Sequence, residues 1–81
     1  MKLHLKLFAV ARELAGTDLL EVDLPRGATV GQLRECVAAT TPALAPLLPA
    51  MTFAVNAEYA NDRTVLRLDD DIACIPPVSG G

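Results

Sequence analysis

Serine and histidine each occur once in these 81 residues, at Ser79 and His4, so no Ser/His/Asp set can be assembled. Neither phosphate-cradling glycine pattern, G-x-x-x-x-G-K-[ST] or G-x-G-x-x-G, is present. If ATP chemistry involves this chain, another protein supplies the site, and no cofactor is expected to bind here. His4 sits on the polar side of a strand pattern with no second histidine or cysteine nearby, and reads as a solvated side chain. Asp69-Asp70-Asp71 lacks the alternating oxygen ligands and closing glutamate of a calcium loop, so it reads as an acidic turn, and no metal site is expected. Cys36 and Cys74 show no C-x-x-C spacing and are expected as buried, reduced thiols acting as small hydrophobes.

Basic residues are scarce too. The net charge is −3 and no Lys/Arg cluster occurs, which argues against nucleic acid and anionic membrane surfaces as partners. The longest apolar stretch, residues 43–55, is broken by Pro46 and Pro49 and is too short to span a bilayer. Met1-Lys2-Leu3 forms no signal-peptide core, and a cytoplasmic location is expected.

Phe8, Phe53 and Tyr59 are the three aromatic residues, yet 52% of the chain is hydrophobic, so the core must be built from Leu, Val, Ile and Ala. A domain of this size buries roughly 60% of its unfolded surface. Part of that apolar surface should remain exposed, as protein interfaces do.

Leu3, Leu5 and Leu7 alternate with Lys2, His4 and Lys6 in the period of a half-buried strand. From Phe8 to Ala15 the period changes to that of a short helix, with Phe8, Ala11 and Leu14 expected on one face and Gly16 as its left-handed stop. Leu20, Val22 and Leu24 form a second strand, most economically antiparallel to the first. Thr29 and Gln32 make a capping-box signature ahead of Val30, Leu33 and Val37, predicting the main helix over residues 29–40. Pro42, Pro46 and Pro49 mark a crossover loop with a turn of helix. A third strand runs through Met51, Phe53 and Val55, followed by a turn at Asn56-Ala57-Glu58 and a weak return strand at Tyr59-Ala60. Thr64, Val65, Leu66 and Leu68 are expected as an irregular cover before the last strand, Ile72 to Ile75. The order predicts an α+β domain of β-grasp type, a mixed sheet with one main helix packed across it. In that arrangement the first and last strands lie side by side at the sheet centre.

The last strand runs into Pro76-Pro77-Val78-Ser79-Gly80-Gly81. The prolines lack backbone donors and push the exit outward. Two glycines can thread a channel too narrow for any Cβ. A domain over residues 1–76 is therefore expected to carry an extended tail, 77–81, that delivers the Gly81 α-carboxyl to another protein's site. A carboxylate is a poor electrophile and needs a better leaving group before sulfur or nitrogen can attack it, which adenylation on a partner would supply.

Phe8-Ala9, Arg12-Glu13-Leu14-Ala15-Gly16, Leu24-Pro25, Thr29-Val30-Gly31-Gln32-Leu33, Val55-Asn56 and above all Ile75-Pro76-Pro77-Val78-Ser79-Gly80-Gly81 carry a resemblance over nearly the whole chain. The sequence resembles the small subunits of molybdopterin synthases, ubiquitin-like β-grasp sulfur carriers of molybdenum cofactor synthesis. The resemblance implies that Gly81, preceded by Gly80, is adenylated by an E1-like enzyme that uses ATP and is then converted to a thiocarboxylate. It also implies a large synthase subunit that takes in the tail, where the carried sulfur passes to a pyranopterin precursor in an assembly of two small and two large subunits. The chain would be non-catalytic alone. Phe8, Ile75, Pro76, Pro77 and Val78 are the expected partner contacts.

Asp69 and Ala57 depart from the resemblance, standing where glycine is common. Aspartate tolerates left-handed geometry, whereas alanine does so poorly, which points to another turn type in the second hairpin. Two related readings share the Gly-Gly end: a thiamine-pathway sulfur carrier, which typically lacks the Pro-Pro pair and the insertion after strand 1, and a ubiquitin-like modifier whose Gly81 joins target lysines. An interaction domain with an inert tail is the third.

Overall fold

The computed structural model describes residues 1–77. Five strands, β1 (Lys2–Leu7), β2 (Leu19–Asp23), β3 (Thr52–Val55), β4 (Glu58–Ala60) and β5 (Ile72–Ile75), form one sheet in the order β2-β1-β5-β3-β4. β1 pairs antiparallel with β2 and parallel with β5, and β3 pairs antiparallel with both β5 and β4. The first and last strands thus occupy the middle of a mixed sheet, as the element order predicts. This is the β-grasp arrangement.

Alternation along the strands builds one buried face. Leu3, Leu5 and Leu7 of β1, Val22 of β2, Phe53 of β3, and Ile72 and Cys74 of β5 are buried with Val30, Leu33 and Val37 of helix α2 (Val30–Thr40). Thr29 caps that helix: the Gln32 amide donates to its Oγ1 at 3.3 Å, and the Thr29 amide donates to Gln32 Oε1 at 2.9 Å. The capping box satisfies two amides that the first helical turn leaves without partners.

Helix α1 (Ala9–Ala15) ends at Gly16 with a φ of 74°, the left-handed stop expected there. Its buried face differs from the expectation. Only Ala11 is buried, while Phe8 and Leu14 are about half exposed. Phe8 is the cap residue, with extended backbone (φ −127°, ψ 156°), so its side chain does not follow the helical row.

Two 3₁₀ turns, Pro42–Leu44 and Leu48–Ala50, carry the crossover, each starting beside a proline and burying one leucine. The β3–β4 hairpin corrects a second expectation. Its two-residue loop has positive φ at both Asn56 (53°) and Ala57 (68°), the type I′ pattern, so alanine occupies the left-handed position after all. The right-handed twist of the flanking strands selects this turn strongly enough to override the alanine preference. Asp69 has no positive φ.

The segment between β4 and β5 runs along the start of α2. The Val30 amide donates to Thr64 O at 2.9 Å, Gly31 to Asp62 O at 3.0 Å, and Leu66 to Ala28 O at 2.8 Å. Of the four residues expected in this cover, Leu66 is buried, Thr64 is partly buried, and Val65 and Leu68 face outward. Among the described residues both cysteines are unpaired thiols; Cys74 is buried as expected, whereas Cys36, on the flank of α2, is partly exposed. No helix among the described residues is long and apolar enough to cross a membrane.

Candidate functional site

β5 is the strand from which Pro76 and Pro77 lead out of the sheet, and its position decides how firmly that exit is held. Ladders on both sides fix it: Leu5 is level with Ile72 and Leu7 with Cys74 on one flank, and Val55 with Ile72 and Thr52 with Ile75 on the other. At its start, Asn56 acts as a clamp. The Asp71 amide donates to Asn56 Oδ1 at 2.9 Å, the Asn56 amide donates to Asp71 O at 2.8 Å, and Asn56 Nδ2 donates to Asp70 Oδ1 at 2.9 Å. Asp70 in turn accepts the Arg67 amide at 2.7 Å through Oδ2, closing the acidic turn. The Asp-rich stretch therefore anchors the last strand.

Inward, the Cys74 Sγ approaches Met51 Sδ at 3.0 Å. Burial pushes the Cys74 thiol up to about 11, against a smaller opposing effect of the Arg34 charge, so it stays protonated at neutral pH. A protonated, enclosed thiol is no nucleophile. Its role is packing.

Outward, the open sheet face is graded. Residues level with one another on adjacent strands point to the same side. Leu19, Lys6, Ala73, Ala54 and Tyr59 thus form one row across all five strands. Away from the exit this face is charged: Glu21 Oε2 lies 3.3 Å from His4 Nε2, Glu21 Oε1 lies 3.7 Å from Lys2 Nζ, and Lys6 Nζ lies 3.0 Å from Asp71 Oδ1. His4 is thereby a solvent-facing partner of Glu21. Towards the exit the face becomes apolar, with Ile75 beside Thr52 and a shallow cleft of about 340 Å³ lined by Thr52, Tyr59, Ile75, Pro76 and Pro77.

Phe8, 48% exposed, directly follows Leu7, the last residue of β1, which is level with Cys74; Phe8 therefore lies at the same end of the parallel strand pair as Ile75. Phe8, Ile75, Pro76 and Pro77 accordingly gather at one end of the central strand pair. Val78, Gly80 and Gly81 lie outside the described residues. Ile75 and Pro76 are partly exposed and Pro77 is exposed. Tyr59, 80% exposed beside Pro76 and Pro77, was not singled out by sequence reasoning. The signal was a lone aromatic side chain in the weak return strand, but a three-residue strand carries too little pattern to assign a face.

This architecture recurs in known proteins. The sequence pattern of the ThiS family matches residues 5–81. The molybdopterin synthase sulfur carrier subunit of Arabidopsis thaliana is 33% identical over 100% of this chain and 84% of its own length. That of Chlamydomonas reinhardtii is 36% identical over 100% of both. Among solved structures, SAMP1 from Haloferax volcanii superposes with a TM-score of 0.87 at 30% identity, covering 100% of both chains. A putative molybdopterin converting factor subunit 1 from Pyrococcus furiosus gives 0.85 at 30% identity, covering 96% of this chain and 99% of the other. A chain of the complex of subunits 1 and 2 of molybdopterin-converting factor from Helicobacter pylori, 22% identical, shares the fold with a TM-score of 0.70, each chain covered in full. The likeness runs through the whole sheet and on past its central strand: the chain belongs to the ThiS family.

Proposed function

We propose that this chain is the sulfur carrier subunit of a molybdopterin synthase, working in the cytoplasm. One observation carries the reading: the strand that precedes the Gly-Gly end is pinned in the sheet centre and leaves it beside an apolar, half-open face. A partner gripping that face would have the tail aimed from a fixed root. The large synthase subunit is one such partner, in an assembly of two small and two large subunits, and an E1-like adenylating enzyme is the other. The relatives from Arabidopsis and Chlamydomonas support the pathway, and the subunit 1 and 2 complex from Helicobacter is consistent with a large-subunit partner.

In this reading the Gly81 carboxylate attacks the α-phosphorus of ATP on the activating enzyme and releases pyrophosphate. A sulfur donor then displaces AMP, leaving a thiocarboxylate. The thiocarboxylate passes its sulfur to the pyranopterin precursor in the large subunit. This chain supplies the recognition surface and the slim terminus, and its partners supply the catalytic groups.

A second reading, a protein modifier, is favoured by the close superposition with SAMP1, whose other structure is described as small archaeal modifier protein 1. Intact mass of the untagged chain after incubation with ATP, activating enzyme and sulfur donor separates the two. A gain matching replacement of one oxygen by sulfur in the terminal peptide supports the carrier. An end joined to lysine in target proteins supports the modifier, and an unaltered end counts against both.

A further inference from the structure

A second apolar cleft lies far from the tail exit. Because β1 and β5 run parallel, Met1 at the start of β1 and Ile75 at the end of β5 mark opposite ends of the sheet. Around Met1, a hollow of about 250 Å³ is lined by Arg26, Gly27, Val65, Leu66, Arg67 and Leu68. Val65 and Leu68, expected in the irregular cover before the last strand, are each 54% exposed. Exposed aliphatic side chains clustered around a concavity are the usual makings of a contact surface.

The charges at this cleft run against the rest of the molecule. Its charged lining groups are all cationic in a chain of net charge −3: the Met1 ammonium, which pairs with Asp23 at 3.3 Å, and the guanidinium groups of Arg26 and Arg67. Lys2, Lys6 and Arg34 are each paired with a carboxylate, whereas Arg26 and Arg67, like Arg12 and Arg63, make no ion pair among the described residues. The nearest acids in sequence beyond Arg67, Asp69 and Asp70, make no ion pair with it, and Asp70 already accepts from the Arg67 amide and Asn56 Nδ2. Two free guanidinium forks flanking an aliphatic hollow suit carboxylates on either side of an apolar side chain. A second copy of this chain fits poorly, because a two-fold contact at the cleft would set arginine against arginine.

We propose that this cleft docks a short acidic peptide segment of a partner protein, one with an aliphatic side chain flanked by Asp or Glu. The aliphatic group seats against Val65 and Leu68, and the carboxylates pair with Arg26 and Arg67. Its place at the far end of the sheet means that the segment and a tail-gripping partner bind together, so the carrier stays tethered while its terminus is handed on. The inference stands whichever chemistry the terminus performs.

The test is a nuclear magnetic resonance titration of the ¹⁵N-labelled full chain with the peptide acetyl-Glu-Glu-Leu-Leu-Glu-Glu-amide. Saturable shifts confined to Arg26, Gly27 and Val65 to Leu68, weakening as salt rises, are expected. The double variant Arg26→Glu, Arg67→Glu should bind about tenfold more weakly with its other resonances in place, and the same peptide with Lys for Glu should not bind. Leu68→Ser, at an exposed position, gives an independent loss should the double variant fold poorly. Absence of shifts at millimolar peptide, shifts centred on Ile75 and Tyr59 instead, equal binding by the charge-reversed chain, or peptide-independent self-association through Val65 and Leu68 would each overturn the proposal.

Discussion

The guanidinium of Arg34 lies 4.9 Å from the centroid of the Phe53 ring, stacked over the one aromatic side chain of the core. From there it reaches three segments. Nη1 donates to the carbonyls of Leu48 and of Met51, the latter at 2.9 Å, and Nη2 donates to Asp62 Oδ1 at 3.0 Å. One side chain on α2 thus ties the crossover turn, the start of β3 and the cover segment to the helix.

Replacing Arg34 with methionine keeps the stem and removes the guanidinium donor from both carbonyls, leaving that of Leu48 with the Met51 amide alone. The expected loss is about 2–3 kcal/mol, read as a lower urea midpoint with unchanged slope. Arg34→Lys should recover only part of it, since a single ammonium cannot serve three directions. A midpoint unchanged in Arg34→Met would show that water takes over both carbonyls.

Ala57→Gly should stabilise the domain. Alanine at a φ of 68° carries a left-handed penalty of roughly 1 kcal/mol, which glycine does not, less the greater freedom glycine gives the unfolded chain. A net gain of about 0.5 kcal/mol in urea unfolding is expected, and a lower midpoint would contradict the type I′ assignment.

Cys74 predicts a pH effect of definite sign. Its thiol titrates near 11 in the folded chain against an ordinary 9.0, so the proton is held more tightly when folded. The resulting stability is complete below pH 9 and drains away as pH rises towards 11. Comparing urea midpoints of the parent and Cys74→Ala at pH 8 and pH 10.5 isolates this term; the parent should lose more. At pH 8 a thiol reagent should label partly exposed Cys36 and spare Cys74 until the chain is unfolded.

Tyr59→Ala and Ile75→Glu alter the apolar end of the open face. On the proposed carrier reading, each should weaken binding to a large synthase subunit by about tenfold in calorimetry. Tyr59→Ala should leave the urea midpoint unchanged, because the ring is 80% exposed. Undiminished affinity in both would move the contact away from this face.

On the proposed carrier reading, Gly81→Ala should fold as the parent does, while activation or sulfur transfer falls on the order of 10- to 100-fold, because an added methyl misplaces the reacting carbonyl. Equal turnover would count against a narrow channel.

Much of this was legible because strong local signals agreed with the fold. The Leu3, Leu5, Leu7 alternation, the Thr29 and Gln32 cap and the Gly16 stop each name a local geometry, and each is found. The central place of β5 followed from element order. What escaped depends on non-local balance. Phe8 and Leu14 have helical spacing, but Phe8 is the extended cap residue outside the helix, and the seven-residue helix buries Ala11 alone. Val65 and Leu68 look like core residues in composition; backbone bonds to Thr29 and α2 decide which side chains of that segment turn inward. Tyr59 gained its significance only when pairing with Ala54 placed it in the row beside the exit.

The middle position of β5 also bears on how the protein is made. Without Ile72 to Ile75 the sheet falls into two unconnected ribbons, β1 with β2 and β3 with β4, each too small to persist in water. A nascent chain leaving the ribosome therefore cannot close its core until the segment just ahead of the Gly-Gly end has been synthesised and released from the exit tunnel. Chains that terminate before that segment stay unfolded and open to proteases, so translation to the final strand is itself a checkpoint on the supply of usable protein.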